Sequence, residues 1–422
     1  MRAKYFALAL WTALPFAVRA EESYPNPEGC SSYAKNTTGN DADCDAEITK
    51  EIDSKKKSVM LFRRAYMEDA AGDFKTYPKA LADLDNAIKL WPENYRALHE
   101  RGYLYNEYGR WKDAEADLDV QIKLLPTRAE GYQERALTKF NLGDLQGAFD
   151  DRNIEVTLNP GVPAHLNARA YASMWLGHFD DARRDAEHAQ DLAKQKGDIE
   201  KEKNAENLIT DIALWTKVSD PALSKKACLD AKTEAEFSKP TFIGDCTLAF
   251  LNASTNAQKA DALTQRSMML PVVKQSAEAG LDDVRLAYAL DPSNPDRQLN
   301  LGSKLVAVNH NREAIQYLDM VLKSSQNPWA YAERSAAKFD LGDINGAFFD
   351  AKKSVEINPN ELALTILGDC LHAKTKSYDE AKSYWIAAYR LGDRDDGLIA
   401  RLKDAGVPIP PPDNPKKDTP AK

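Results

Sequence analysis

A proline recurs at a fixed interval in this chain, and the interval constrains the fold more than any other feature. Pro92, Pro126 and Pro160 are each thirty-four residues apart. Between the first two, residues 95–126 form the pattern of two amphipathic helices joined by a short turn. A helix pair this small cannot bury both of its faces alone, so it needs copies beside it. The interval therefore predicts a row of stacked helix pairs.

The copies include one clear internal duplication. Residues 132–160 align without gaps on residues 331–359. Glu-Arg, Lys-Phe, Leu-Gly-Asp, Gly-Ala-Phe and Asn-Pro occur at identical offsets in the two segments. Because shared composition does not preserve offsets, the match indicates that one repeat unit was duplicated.

The repeat unit resembles the tetratricopeptide repeat (TPR). That family has a small residue and then an aromatic in the first helix, a glycine-containing turn, an alanine and a large apolar residue in the second helix, and a terminal proline. The unit at 94–127 has Gly102, Tyr105, Gly109, Ala114, Leu118 and Pro126 at these positions. Other units depart from the pattern, with Lys139 for the aromatic, Arg152 for the large apolar residue and Lys194 for the proline. The resemblance implies an all-α superhelical solenoid of antiparallel helix pairs, with a concave groove that binds a protein or peptide.

The period divides the chain into two blocks with about eight TPR-like units in total. It fails after residue 194 and resumes near residue 261. The predicted organisation is a signal peptide at 1–20, a Cys-containing leader at 21–57, an N-terminal TPR block at 58–194, a helical connector with a Cys pair at 195–260, a C-terminal TPR block at 261–395 and a Pro/Lys-rich tail at 396–422.

The amino terminus has the order of an export signal. Arg2 and Lys4 precede an apolar run at 5–18, and Val18 and Ala20 are small residues at a cleavage position. The sequence therefore predicts export, to the periplasm or out of the cell, and the style of the signal indicates a bacterial host. The alternative is an uncleaved anchor, for which the apolar run is short.

Charge limits the class of partner. The net charge is −9, and removal of residues 1–20 deletes three cations, which makes it −12. An acidic surface argues against nucleic acid and anionic lipid as the main partners. No later segment is apolar enough for stable membrane insertion.

The five cysteines fit an oxidising compartment. Cys30 and Cys44 flank a polar stretch, and Cys228 and Cys246 flank a proline-containing turn. The sequence predicts these two pairs as local disulfides. Cys370 lies in a predicted packed helix and is expected to be a buried free thiol.

Six units combine an arginine in the first helix with an aspartate in the second. The pairs are Arg64 with Asp83, Arg101 with Asp117, Arg135 with Asp151, Arg169 with Asp185, Arg266 with Asp283 and Arg334 with Asp350. The two other units have Leu301 with Tyr317 and Leu367 with Tyr384. Because both positions change together, we expect the paired side chains to touch across the helix pair. The alternative is a ladder of arginines that binds an acidic ligand.

No motif in the sequence indicates catalysis or a cofactor. The histidines and cysteines have no zinc-site spacing, and there is no nucleophile elbow or glycine-rich phosphate loop. The sequence predicts no metal and no cofactor. Glu130 stands where the carboxylate clamp of TPR co-chaperones needs a lysine, so that activity is not supported.

The leading hypothesis is a non-enzymatic scaffold that binds a protein or peptide segment in its concave groove. The candidate groove residues are Arg96, His99, Tyr103, Asn106, Gln133, Asn167 and Tyr171. The alternative is a constitutive subunit of an envelope assembly or enzyme complex. An enzyme site within the connector is a third alternative.

Overall fold

The computed structural model describes residues 41–70, 77–231, 239, 241–274 and 276–409. Over these residues the chain forms twenty-one helices and no strand, and consecutive helices pack as pairs. The predicted all-α, TPR-like architecture is confirmed. The predicted signal peptide and Cys30, and with it the Cys30–Cys44 pairing, lie outside the described residues, as does the tail after residue 409.

The chain divides into two compact units, Met1–Arg297 and Gln298–Lys422. The helices up to the unit boundary are α1 (Asp41–Lys50), α2 (Ser54–Ala70), α3 (Tyr77–Leu90), α4 (Tyr95–Glu107), α5 (Trp111–Leu124), α6 (Ala129–Asn141), α7 (Leu145–Leu158), α8 (Pro163–Trp175), α9 (Phe179–Lys196), α10 (Ile199–Thr216), α11 (Ser224–Leu229), α12 (Phe242–Leu251), α13 (Asn256–Lys274) and α14 (Leu281–Leu290). The remaining helices are α15 (Pro295–Ala307), α16 (Asn311–Ser324), α17 (Pro328–Asp340), α18 (Ile344–Ile357), α19 (Glu361–Thr375), α20 (Tyr378–Leu391) and α21 (Asp396–Asp404).

Glycine allows the two helices of a pair to approach closely. A Cβ atom on Gly102 of α4 would lie 3.1 Å from Leu118 Cγ of α5. A Cβ atom on Gly302 would lie 2.8 Å from the same atom of Leu318 in the second unit. A larger residue would force the helices apart, which explains the small residue of the repeat pattern.

All six predicted Arg–Asp contacts are present, and each is bidentate. The contacting pairs are those of Arg64, Arg101, Arg135, Arg169, Arg266 and Arg334 with their own aspartates. Arg101 Nε and Nη2 each lie 2.7 Å from an oxygen of Asp117. We call this bidentate pair the clasp of a unit. Because the guanidinium groups are held inside the repeats, the clasp stabilises the helix pair.

The third nitrogen of the clasp arginine reaches the preceding repeat. Arg101 Nη1 donates to Asp85, Arg135 Nη1 to Asp119, Arg169 Nη1 to Asn153 and Arg334 Nη1 to Asp319. Each acceptor lies two residues after the second-helix clasp position of the preceding repeat. Where the following repeat has a leucine instead of the arginine, this place is taken by a cation, Arg285 or Lys352. The arginine therefore joins consecutive repeats as well as the two helices of one repeat.

The lysine that replaces the aromatic of the repeat pattern forms an ion pair in both copies of the duplicated segment. Lys139, which replaces the aromatic, lies 2.9 Å from Asp151, and its duplicate Lys338 lies 2.7 Å from Asp350. The lysine adds a second cation to a buried carboxylate, so the departure serves the clasp.

The clasp can be tested at Arg101 and Asp117. We expect Arg101→Ala to destabilise the protein by about 1–3 kcal/mol, because Asp117 is left buried without its partner. The double change Arg101→Leu with Asp117→Tyr introduces the Leu–Tyr pair that two other repeat units have at these positions. It should recover much of the lost stability. Urea unfolding of the single and double variants measures the coupling, which should exceed the ~0.2–1 kcal/mol of exposed ion pairs. Additive single effects would contradict the clasp.

Residues 195–260 share one hydrophobic core with the repeats on either side of them. Trp175 of α8 packs edge-on against Trp215 of α10, with ring centroids 5.0 Å apart, and against Phe250 of α12 at 6.0 Å. The Cys228–Cys246 disulfide, one of the two predicted, lies in this core and joins α11 to α12.

Arg266 of α13 is fully buried in the same core. Its guanidinium carbon lies 3.9 Å from the ring centroid of Trp215 and 4.9 Å from that of Trp175. It forms the clasp with Asp283, and its third nitrogen donates to the Thr247 hydroxyl at 2.7 Å. Aromatic faces and three hydrogen bonds thus compensate a cation that has lost all contact with water.

In the Gln298–Lys422 unit, Cys370 is a buried free thiol. Burial raises the pKa of the Cys370 thiol to about 12. The side chain is therefore a protonated thiol at neutral pH and acts as a small apolar core residue.

Candidate peptide-binding surface

A large side chain recurs two positions after the clasp arginine in the first helices α2, α4, α6 and α8. These residues are Tyr66, Tyr103, Leu137 and Tyr171. Tyr66, Tyr103 and Leu137 are 53%, 38% and 41% exposed, although most large apolar side chains of these helix pairs are buried. Because α2 contacts α4 and α4 contacts α6, the three belong to adjacent helices. We call them the inner stripe.

A cavity of about 300 Å³ opens at the α2 end of the stripe. Tyr66 lines it together with two predicted groove residues, Arg96 and His99. His99 Nδ1 lies 3.3 Å from Gln121 Oε1, and the Arg96 guanidinium lies over the Tyr95 ring at 5.8 Å. We call it the amino-terminal cavity.

A second cavity, of about 380 Å³, opens at the other end of the stripe. Its repeat-derived lining includes Leu137 and two predicted groove residues, Asn167 and Tyr171. Helices α10 and α14 complete it, with Asn207 and Asp282 among their contributions. We call it the connector cavity, since part of its wall comes from the segment between the two TPR blocks.

Helix α14 covers Tyr171, the fourth residue of the series, so the exposed inner stripe ends at Leu137. The Tyr171 hydroxyl donates to the Asp282 carboxylate, and α14 also packs against α6. Burial, and then the neighbouring Asp282 carboxylate, raise the pKa of Tyr171 well above its ordinary value. The hydroxyl therefore stays protonated and remains a donor at neutral pH.

The other predicted groove residues divide into two kinds. Tyr103 and Gln133 are exposed and line neither cavity. Asn106 is only 4% exposed, and its Oδ1 accepts a hydrogen bond from the Thr138 hydroxyl at 2.9 Å. Asn106 thus joins α4 to α6 and does not present its amide oxygen to a ligand. Tyr66 was not among the predicted residues, although its place two residues after Arg64 could have identified it.

Within the described ranges, no three of the His, Cys, Asp and Glu side chains are grouped so that they could hold a metal ion. In the same part of the chain, no helix combines the length and apolar character that a membrane crossing requires.

No protein-family model and no curated protein matches the chain. Among solved structures, it is similar to a tetratricopeptide repeat protein from Parabacteroides merdae, at 15% identity over 74% of this chain and 98% of that one, with a TM-score of 0.29. It is also similar to the TPR domain of P58(IPK), at 14% identity over 80% and 93% of the two chains, with a TM-score of 0.26. A third structure, Naa15/Naa10 bound to HypK-THB, matches at 11% identity over 94% of this chain and 77% of that one, with a TM-score of 0.32.

Proposed function

We propose that the protein is an exported, non-enzymatic scaffold that binds an extended peptide segment of a partner protein along the inner stripe. The observation that carries the proposal is the exposure of Tyr66, Tyr103 and Leu137 at one repeated position on adjacent first helices. Large apolar side chains that are exposed at equivalent positions of neighbouring helices favour an interaction surface. The three side chains all belong to helices of the Met1–Arg297 unit.

The spacing of the stripe suggests the form of the peptide. Packed helices lie about 8–10 Å apart. A peptide in the polyproline II conformation rises about 3.1 Å per residue with three residues per turn, so it presents every third side chain on one face about 9 Å apart. The ligand we propose therefore has apolar side chains at every third position, each in contact with one stripe residue.

Export is part of the proposal. The charged, apolar and small residues of positions 1–20 support a signal peptide. The Cys228–Cys246 disulfide is typical of a periplasmic or secreted protein, because such bonds persist where the environment is oxidising.

The stripe can be tested with a triple variant, Tyr66→Ala, Tyr103→Ala and Leu137→Ala. The probe is a pool of fluorescent twelve-residue peptides with leucine at every third position and degenerate residues elsewhere, titrated by anisotropy. We expect the triple variant to bind at least tenfold more weakly. Each truncated side chain buries less apolar surface in the complex, which makes the free energy of binding less favourable by roughly 1 kcal/mol per side chain.

Two controls sharpen this test. The double variant Val120→Ala with Leu223→Ala removes two exposed apolar side chains of the Met1–Arg297 unit that lie outside the stripe. It should leave binding unchanged. A pool with leucine at every second position should bind the wild-type chain more weakly. Equal binding by the triple variant and the wild type would refute the proposed surface.

The second candidate function is that of a constitutive subunit of an envelope assembly or enzyme complex. Exposed apolar side chains in the Gln298–Lys422 unit favour it. Trp329 on α17 and Phe349 and Ile357 on α18 are large exposed apolar side chains on two helices that pack together. A stoichiometric partner that co-purifies from the native envelope, and is lost from a Trp329→Ala, Phe349→Ala variant, would support this candidate.

A further inference from the structure

The wall of the connector cavity contains a buried hydrogen-bond acceptor. Asn167 Oδ1 has almost no contact with solvent, and no residue that the structure describes donates a hydrogen bond to it. Buried polar atoms are almost always paired, so this oxygen is suited to a donor that comes from outside the described residues. A ligand that carries N–H or O–H groups would satisfy it.

The charges of the cavity favour a cationic donor. Arg152 lies 2.7 Å from Glu155, and Asp211 lies 2.7 Å from Lys274, so these two lining charges are each compensated within the chain. Asp282 accepts a hydrogen bond from the neutral Tyr171 hydroxyl, and no cation among the described residues lies within ion-pair distance of it. The lining thus has one uncompensated charge, and that charge is negative.

The walls of the cavity suit a long aliphatic stem. Leu137, Phe140 and Tyr171 line it, and the Phe140 and Tyr171 ring centroids lie 6.4 Å apart with their planes tilted by 42°. Aromatic faces attract cations, and apolar walls pack against the methylene groups of lysine or arginine. Exposed Asn204 and Asn207 lie at the rim, where side-chain amides match the donor and acceptor of a peptide group.

We propose that the connector cavity binds a lysine or arginine side chain of the partner peptide, with Asp282 as the counter-ion and Asn167 Oδ1 as a second acceptor. This rests on the proposed function, since the basic residue belongs to the peptide on the inner stripe. Leu137 belongs to both the stripe and the cavity, so the basic residue lies next to the apolar residue that contacts Leu137. The negative net charge, −9 for the full sequence and −12 without residues 1–20, also attracts a basic segment.

The test compares four peptide pools on the full mature chain. Each pool joins a half with leucine at every third position to a fixed lysine, arginine, norleucine or glutamate, in both orders along the peptide, with degenerate residues elsewhere. Anisotropy titration of the wild-type chain should show the lysine and arginine pools binding about tenfold more tightly than the norleucine pool. The glutamate pool should bind most weakly. Equal affinity for the lysine and norleucine pools would overturn the proposal.

Asp282→Asn is the decisive variant, because asparagine keeps an oxygen for the Tyr171 hydroxyl and removes only the charge. We expect it to weaken lysine-pool binding about tenfold and to leave norleucine-pool binding unchanged. The matched control is Asp180→Asn, which removes one exposed carboxylate of the same unit away from the cavity. An equal loss in both variants would mean that net charge, and not the cavity, attracts the peptide, and would overturn the site.

The stripe variant separates this proposal from the function on which it rests. If the Tyr66, Tyr103 and Leu137 triple variant loses all four pools while Asp282→Asn loses none, the scaffold function stands and the basic site fails. If the lysine preference persists in the triple variant with unchanged affinity, the cavity binds cations without the stripe, and the shared peptide is refuted. Asn167→Leu, which removes the buried acceptor, should weaken the lysine and arginine pools but not the norleucine pool.

Discussion

Replacing Asp283 with alanine is expected to destabilise the Met1–Arg297 unit by about 3–5 kcal/mol, which is among the largest effects of a single substitution. The change leaves the guanidinium of Arg266 without its carboxylate at a position that solvent does not reach. The hydrogen bond to Thr247 and the two tryptophan faces remain, but they carry no negative charge. Urea unfolding followed by tryptophan fluorescence measures the loss, since Trp175 and Trp215 lie in the same core.

The matched control for this prediction is Asp185→Ala. Asp185 makes the same bidentate pair with Arg169, but the two side chains are 16% and 25% exposed, so water can solvate the arginine that is left. We expect a loss of about 1 kcal/mol. A second variant, Arg266→Met with Asp283→Leu, removes both charges and should recover most of the stability lost in Asp283→Ala. Equal losses at Asp283 and Asp185 would show that burial of Arg266 does not determine the effect.

Glu333 is expected to make the stability of the Gln298–Lys422 unit fall as the pH rises from about 4.5 to about 7. Burial raises the pKa of Glu333 to about 7, although a hydrogen bond with Ser303 lowers it in part. Below pH 4.5 the carboxyl is protonated in both the folded and the unfolded chain, so its ionisation does not contribute to the free energy of unfolding. Between the two pKa values only the unfolded chain releases the proton, which favours unfolding.

The expected size is about 1–3 kcal/mol by pH 7.5. Glu333→Gln should abolish this part of the pH dependence and should stabilise the unit at pH 7.5 but not at pH 4. Urea unfolding at both pH values measures it, with Glu380→Gln as the control because Glu380 is exposed in the same unit. A pH profile that Glu333→Gln leaves unchanged would contradict the prediction.

The repeat architecture and the clasps could be predicted because both leave a periodic trace in the sequence. Pro92, Pro126 and Pro160 give the period, and each clasp arginine comes with its aspartate at an equivalent place in the next helix. The paired change to Leu301 with Tyr317 indicates contact even without coordinates. Such signals are local, because the interacting residues belong to one repeat.

The closure of the stripe by α14 could not be predicted in this way. Tyr171 and Asp282 are 111 residues apart in the chain, and no period links them. The same is true of Thr247, which completes the hydrogen bonds of Arg266 from outside the repeats. Of the predicted groove residues, Asn106 has a polar side chain on a first helix, and only its contact with Thr138 of the next repeat shows that it is buried.

The arginine link between neighbouring repeats has a consequence for how this gene can evolve. Unequal recombination readily deletes or reorders repeat units, and a uniform solenoid would tolerate the exchange. Here, loss of the unit at 295–327 would place the cation Arg285 before the repeat that carries Arg334, so two positive charges would meet where Asp319 now accepts a hydrogen bond. The junctions that carry an Asp or Asn acceptor and the two that carry a cation are therefore not interchangeable, so a deletion that joins the wrong kinds would place like charges together in the resulting chain.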